Sequence, residues 1–346
     1  MIRKTFLVRT LFAVLPLSFL GGCSQNPAPE TKSATPASVG SIVRLDPAFD
    51  ALVPSGAQIE KLAGDFKFLE GPLWRPQGVL WFSDLKNNAV EQYSPADNKV
   101  TEVLRPGGYD GFSLPADGYN GPNAMTAGEG GTVLLCQHGY RRIVRIAKDM
   151  QTSVLVDKFE GKRLNSPNDL VYRSDGTLYF TDPPYGLPKL DDDPAKEIKF
   201  NGVYKLAKGK LEPVVKDLKF PNGLAFSPDE KYLYVGNSDE AHRFWMRYEV
   251  AKDGTLHNGK VFADVTAEKE SGVPDGMKVD AQGNVWATGP GGLWVFSPDG
   301  KHLGTIKPPE QPANCAWGDD GKSLYITATT GLYRIKTAVS GEKLVY

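Results

Sequence analysis

Residues 221–237 read Pro221-Asn-Gly-Leu-Ala-Phe226-Ser-Pro-Asp-Glu230-Lys-Tyr-Leu-Tyr-Val235-Gly-Asn237. An amide-bearing residue heads a short apolar run, a Ser-Pro-Asp turn follows, and a second run of aromatic and β-branched residues comes back. That is the pattern of two antiparallel strands joined by a turn. The device recurs at Glu70-Gly-Pro-Leu-Trp, Asn123-Ala-Met-Thr, Asn168-Asp-Leu-Val-Tyr, Asp275-Gly-Met-Lys-Val and Asn314-Cys-Ala-Trp. Successive heads lie 53, 45, 54, 53 and 39 residues apart. A period of that length marks copies of one supersecondary unit.

Each unit continues alike. Turns such as Ser174-Asp-Gly-Thr and Asp319-Asp-Gly-Lys lead into Leu178-Tyr-Phe-Thr and Ser323-Leu-Tyr-Ile-Thr. A third strand follows, such as Gly202-Val-Tyr-Lys-Leu, and in several units a fourth, such as Ser153-Val-Leu-Val. Four short antiparallel strands in each of six units predict an all-β fold, a six-bladed β-propeller over residues 42–346. Residues 42–64, with Ile42-Val-Arg-Leu and Ile59-Glu-Lys-Leu, are expected to supply the outer strand of the last blade and close the ring. The first strand of each propeller blade lines the central channel, so the six heads meet around the axis at one mouth. Residues 14 or 15 positions further on, namely Asp84, His138, Asp182, Asn237, Gly289 and Thr329, return to the same face farther from the axis. The loop carrying Tyr185 and the long insertion 187–201 are placed as walls of that mouth.

The 346 residues are 40% hydrophobic and 23% charged, which suits a sizeable core. Net charge is −1 with no basic stripe, which excludes the electrostatic footprint of a nucleic-acid binder. Arg3 and Lys4, the apolar run from Leu11 to Leu20, and Leu20-Gly-Gly-Cys23 read as a signal peptide over 1–22 that ends in a bacterial lipobox. The expectation is cleavage before Cys23 and a lipid anchor on its thiol, with several acyl chains making the anchoring stable. Residues 23–41, rich in Pro, Ser, Thr and Ala, are expected to be a flexible tether. Ser24 after the cysteine, where Asp would favour inner-membrane retention, points to a periplasm-facing anchor on the outer membrane of a bacterial cell envelope. Cys136 and Cys315 fall in apolar strands of non-adjacent units and are expected as buried free thiols.

All six heads offer oxygen. Carboxylates and amide carbonyls are hard donors that suit Ca²⁺, whereas zinc prefers His or Cys. Glu70 and Asp275 together would neutralise a divalent cation, with Asn168 and Asn222 adding neutral oxygens between them. An Asn or Asp before Gly is often only a turn former, but six at equivalent positions, one of them Glu, argue for a site. Such a cation polarises a carbonyl or phosphoryl oxygen and still requires a base. Asp275 is one candidate and His138, on the returning layer, is the other. Asn123, His138 and Tyr185 are placed as substrate contacts by their position in the repeat.

Glu-Gly-Pro, Ser-Pro-Asn-Asp, Phe-Pro-Asn-Gly-Leu and Pro-Asp-Gly-Met, in that order over about residues 60–340, resemble the gluconolactonase/regucalcin (senescence marker protein) family, which is related in fold to the squid-type diisopropyl fluorophosphatase. Cys136-Gln-His-Gly, Phe180-Thr-Asp-Pro-Pro-Tyr-Gly and Ala313-Asn-Cys-Ala-Trp are closest to its bacterial gluconolactonase branch. The resemblance implies a propeller with one divalent ion at the channel mouth, usually calcium, with zinc or manganese accepted by some members. It implies Glu70, Asn168, Asn222 and Asp275 as the metal set, Asp275 also as base or nucleophile, and a small-molecule lactone as substrate. The expected activity is metal-dependent opening of a gluconolactone-like sugar lactone to its aldonic acid. A related ester or phosphotriester hydrolase and a non-catalytic binding propeller are the alternatives.

Overall fold

The computed structural model describes residues 38–110 and 118–346. The signal segment, Cys23 and all of the tether up to residue 37 lie outside the described residues. The described chain forms six antiparallel four-stranded sheets, one extended to five, and a small two-stranded ladder between Lys158–Phe159 and Lys162–Arg163. Each sheet holds one of the predicted units, so the fold is a six-bladed β-propeller. The innermost strands are Leu69–Arg75, Pro122–Gly128, Leu170–Tyr172, Pro221–Phe226, Met277–Val279 and Pro312–Gly318, in blades 1 to 6.

The closing segment is split between two blades. Ile59–Ala63 pairs with Gly331–Lys336 and forms the outer strand of blade 6, closing the ring as expected. Ser41–Arg44 pairs with His302–Lys307 and adds a fifth strand to blade 5. Between them the chain buries Phe49, Leu52 and Val53 in the cluster that joins blades 5 and 6. Arg44 fixes the crossing by donating to the carbonyls of Val53 and Pro54, each at 2.8 Å. Three apolar side chains that need cover thus carry the segment across an interface that strand propensity alone did not reveal.

The core lies between blades, in six clusters that each join two neighbouring sheets. The alternation of each strand supplies both faces of its sheet, and sheets stacked face to face bury both. Blades 1 and 6 meet through Leu80, Phe82 and Tyr93 on one side and Tyr325 and Leu332 on the other. Truncating a buried ring such as Phe82 to alanine costs about 3–5 kcal/mol.

Hydroxyls on the second strands staple one blade to the next. Ser83 donates to the Asn123 carbonyl at 2.7 Å, Thr288 to that of Ala313 at 2.8 Å, and Ser238 to that of Pro274. These bonds fix the backbone of the heads, where the ladder of hydrogen bonds is interrupted. Cys136 and Cys315 are buried free thiols, as expected.

Candidate active site

The heads point at the axis because the strands that carry them are irregular there. In blades 1, 2, 4 and 6 the pairing of strands one and two shifts register beside the head, between Glu70 and Leu73, Pro122 and Met125, Pro221 and Leu224, and Pro312 and Asn314. A bulge of this kind re-aims a side chain out of the sheet's alternation. In blades 3 and 5 the ladder begins only at Leu170 and Met277, after Asn168 and Asp275.

Neighbouring heads touch around the whole ring. The Ala124 amide donates to the Asn168 carbonyl at 3.1 Å. The Asp169 carboxylate is stabilised by the Leu224 amide, and the Asp275 carboxylate by the Asn222 side chain. Gly276 N donates to the Ala313 carbonyl at 2.8 Å. Asn314 Nδ2 donates to Glu70 Oε2 at 3.1 Å and closes the circle. A small residue after the head is what permits this approach. A Cβ on Gly71 would lie 2.4 Å from the Asn123 carbonyl oxygen, and its φ of +50° disfavours other residues as well.

The ring is the floor of a cavity of about 370 Å³. Glu70, Asn123, His138, Asn168, Asn222, Ser238 and Asp275 give it a polar base, while Phe68, Tyr119, Tyr185 and Leu190 are among its walls. All six sequence-chosen residues of the floor and Tyr185 therefore come together. Leu190 stands at the tip of the insertion in a left-handed conformation, φ +51°, half open to solvent. Arg141 ties the insertion down through the Ala195 carbonyl, at 2.8 Å.

The electrostatics of the floor are those of crowded, buried acid. Burial is the main cause that pushes Glu70 up to about 7. Burial, then Glu70 and Asp169, push Asp275 well above the usual carboxylate range. Asp169 is itself raised by burial. Lys278 is the cation among them, donating to the Met277 carbonyl at 2.9 Å and to Asn314 Oδ1 at 3.4 Å. With all three carboxylates ionised the cluster carries two uncompensated negative charges.

His138 differs from the rest of the returning layer. Its Nδ1 lies 2.9 Å from the Tyr119 carbonyl, which only accepts, so Nδ1 carries the proton. Nε2 then accepts from Asn123 Nδ2 at 3.0 Å. Burial pulls the imidazole down to about 4, so it is neutral at pH 7. The bond turns Asn123 Oδ1 away from the imidazole, and that oxygen is buried with no partner among the described residues. Asn222 is arranged in parallel: Nδ2 donates to Ser238 Oγ at 2.9 Å and Oδ1 is buried without a partner. By contrast, Asp84, Asp182 and Asn237 accept from the amides of Phe68, Asn165 and Phe220 at 3.1, 2.8 and 3.0 Å. They latch the loops that lead into the heads.

Among the described residues no three His, Cys, Asp or Glu side chains are arranged to hold a metal ion. The donor set at the ring uses amides, and it fits a hard cation. Two buried amide oxygens lack partners among the described residues, and beside them lie carboxylates whose charge burial disfavours and a cation would restore.

The pattern of the SMP-30/gluconolactonase/LRE-like region matches residues 68–330, the span that holds every head and the whole cavity. The chain belongs to this family. It is 39% identical to a gluconolactonase of Zymomonas mobilis over 315 residues, 88% of each chain. A solved gluconolactonase of Xanthomonas campestris superposes with a TM-score of 0.75 at 31% identity, covering 89% of this chain and 99% of the other. Regucalcin of Agrobacterium tumefaciens, described as a calcium-binding protein, shares the fold at a TM-score of 0.62 and 19% identity, over 81% of this chain and 92% of the other.

In this member of the SMP-30/gluconolactonase family the wall rings Phe68 and Tyr119 and the Ser238 hydroxyl escaped the sequence reading, and so did three further residues, Asp169, Lys278 and Leu190. Asp169 stands where the other units place Gly, Ala or Cys after the head, and that departure was the available signal. Lys278 puts a cation inside an otherwise uncharged stretch of a first strand. Leu190 left no signal beyond the length of its insertion.

Proposed function

We propose that the protein is a divalent-cation-dependent lactonase that opens a sugar lactone of the gluconolactone kind to its aldonic acid. The observation that carries this reading is the floor of the cavity, where two unpartnered amide oxygens and the raised carboxylates Glu70 and Asp275 meet at one mouth. Family membership and the bacterial gluconolactonases it resembles support the reaction class. Glu70, Asn168, Asn222 and Asp275 would hold the cation, and Asn123, which lines the same cavity with its Oδ1 unengaged, is left for the substrate. Ca²⁺ suits these donors best, with Zn²⁺ or Mn²⁺ as substitutes. Once bound, such an ion polarises the lactone carbonyl and offsets the charge that develops on its oxygen.

The chain's own residues supply the rest. Asp275 takes a proton from the attacking water through the carboxylate oxygen that a cation held at its other oxygen would leave free. His138 is not free for that task, because its Nε2 lone pair is engaged by Asn123 and its basicity is depressed. Its role is to orient Asn123. Phe68, Tyr119 and Tyr185 line the cavity with apolar rings suited to the C–H groups of a sugar, and Tyr185 is held by stacking on Phe220 with centroids 5.7 Å apart. The lipobox supports placing this activity on the periplasmic side of a bacterial envelope through Cys23. Labelling with radioactive palmitate, lost on Cys23→Ser, tests the anchor.

The test of function is acid release from a panel of δ-gluconolactone, pentonolactones, alkyl lactones, aryl esters and a phosphotriester. It is run with chelator and again after Ca²⁺ is returned. Sugar-lactone opening that collapses with chelator and recovers supports the reading. Activity that survives exhaustive chelation, or a preference for the phosphotriester, overturns it.

A further inference from the structure

The sixth head, Asn314, has no place in the proposed ligand set, yet it is the most tightly oriented side chain of the ring. Its Oδ1 accepts from the Cys315 amide at 2.9 Å and from Lys278 Nζ at 3.4 Å. Both partners are donors, so the oxygen must face them and Nδ2 must face the other way. There Nδ2 donates to Glu70 Oε2 at 3.1 Å. The Gly71 amide donates to the same oxygen at 2.8 Å. Oε2 is thus clamped by two N–H groups, while among the described residues no hydrogen bond engages Oε1. On its blade 5 side the Asn314 amide is walled by the backbone of Gly276, where a Cβ would lie 2.0 Å from Asn314 Cγ.

We propose that Asn314 is a positioning residue that holds Glu70 so that Oε1 is presented to a divalent cation, and that Lys278 fixes Asn314 in the orientation this requires. The inference rests on the proposed cation site. A carboxylate pinned at one oxygen offers the other as a single ligand of fixed direction, and the ordering cost is met before the ion arrives. The clamp spans the seam where blade 6 meets blade 1, 244 residues apart in sequence. Closure of the propeller and assembly of the ligand shell are therefore one event at this point of the ring.

The test is calorimetric titration of the metal-free protein with Ca²⁺, together with melting temperatures without metal. Asn314→Ala is expected to weaken Ca²⁺ binding by about 10- to 100-fold, the usual effect of losing an outer partner of a ligand. Lys278→Met, which keeps most of the volume, is expected to weaken it less but in the same direction. At saturating Ca²⁺ the kcat of both variants should return towards the wild-type value, because the clamp prepares the ligand and does not touch substrate. In a Glu70→Gln background Asn314→Ala should have no further effect on binding, the sign that both act through one group. Wild-type affinity in Asn314→Ala, or additive losses in the double variant, overturns the inference. So does an Asn314→Ala chain that fails to fold together with a Lys278→Met chain of unaltered affinity. A wild-type protein that takes up no divalent cation overturns the proposed metal dependence itself, and this inference with it, and is told apart from the other outcomes by the wild-type titration alone.

Discussion

The two mouths of the central channel are built from the two ends of the same six strands, and their chemistry diverges. At the mouth where the first strands begin, the channel opens into a cavity of about 370 Å³ floored by amides and carboxylates. At the other, where those strands end, Trp74, Tyr172, Phe226 and Trp317 surround a smaller cavity of about 120 Å³. The last residues of the chain lie across it. Glu342 N donates to the Val279 carbonyl at 3.1 Å, and Tyr346 packs on Tyr172 with ring centroids 4.8 Å apart. The difference teaches that a repeat of one residue type builds a site only where the strands are irregular. Bulges and short ladders free the heads to turn to the axis, while regular pairing further along leaves aromatic side chains lining the other mouth.

The comparison breaks most severely at the polar mouth. Asp275→Asn and Glu70→Gln should each lower lactone opening by on the order of 10³-fold, measured as acid release at fixed Ca²⁺. Both proteins should keep the wild-type circular dichroism and melt no lower than wild type without metal, since each replaces a buried acid whose charged form the fold disfavours. A variant that retains a tenth of the activity would remove its residue from the mechanism.

The same crowding sets a pH dependence. Glu70 sits near 4.5 in the unfolded chain and is pushed up to about 7 in the metal-free fold. The native state therefore keeps a proton that the unfolded state has lost. Its contribution to stability is complete below about pH 4.5 and disappears as pH rises through about 7. Melting temperatures in chelator should fall across that window, and saturating Ca²⁺ should flatten the fall. A chelated protein whose stability is level from pH 4.5 to 8 would contradict the buried-acid account.

His138 gives a smaller and more discriminating effect. If it only orients Asn123, His138→Ala should cost about tenfold in kcat/KM and leave the shape of the pH–rate profile unchanged. A general base in that position would cost on the order of 10² to 10⁴ and take a limb of the profile with it. The smallest effect belongs to the aromatic mouth. Deleting residues 342–346 should leave kcat/KM within about twofold, because substrate does not enter there, and lower the melting temperature by roughly 2–4 °C. A large loss of activity would mean that the two ends of the channel are coupled.

Much of this was legible before the coordinates. Six heads, turns with Asp or Asn, and aromatic second strands were enough for the propeller, and the closing role of Ile59–Ala63 followed from its place ahead of the first head. The polar floor was legible as well, because residue type at a fixed place in a repeat survives without knowledge of contacts. The returning layer was only half legible. Spacing put Asp84, His138, Asp182 and Asn237 on one face, but it could not tell a latch on a loop amide from a ring turned to Asn123. Ser41–Arg44 was assigned to the wrong blade because its partner was decided by the burial of Phe49, Leu52 and Val53, whose cluster joins blades 5 and 6.

The sequence by itself determined the unit, its number and the kind of atom at the head of each copy, since strand propensity, turn chemistry and period are properties of neighbours along the chain. Only the tertiary structure decided which oxygens are free and which are tied. Asn123 and Asn222 each turn one amide hydrogen bond outward and leave the carbonyl oxygen bare, whereas Asn314 spends its amide on Glu70. Three asparagines at one position of one repeat thus acquire different tasks, because the acceptor that each amide N–H reaches lies at the end of its own second strand in two cases and across the seam of the ring in the third.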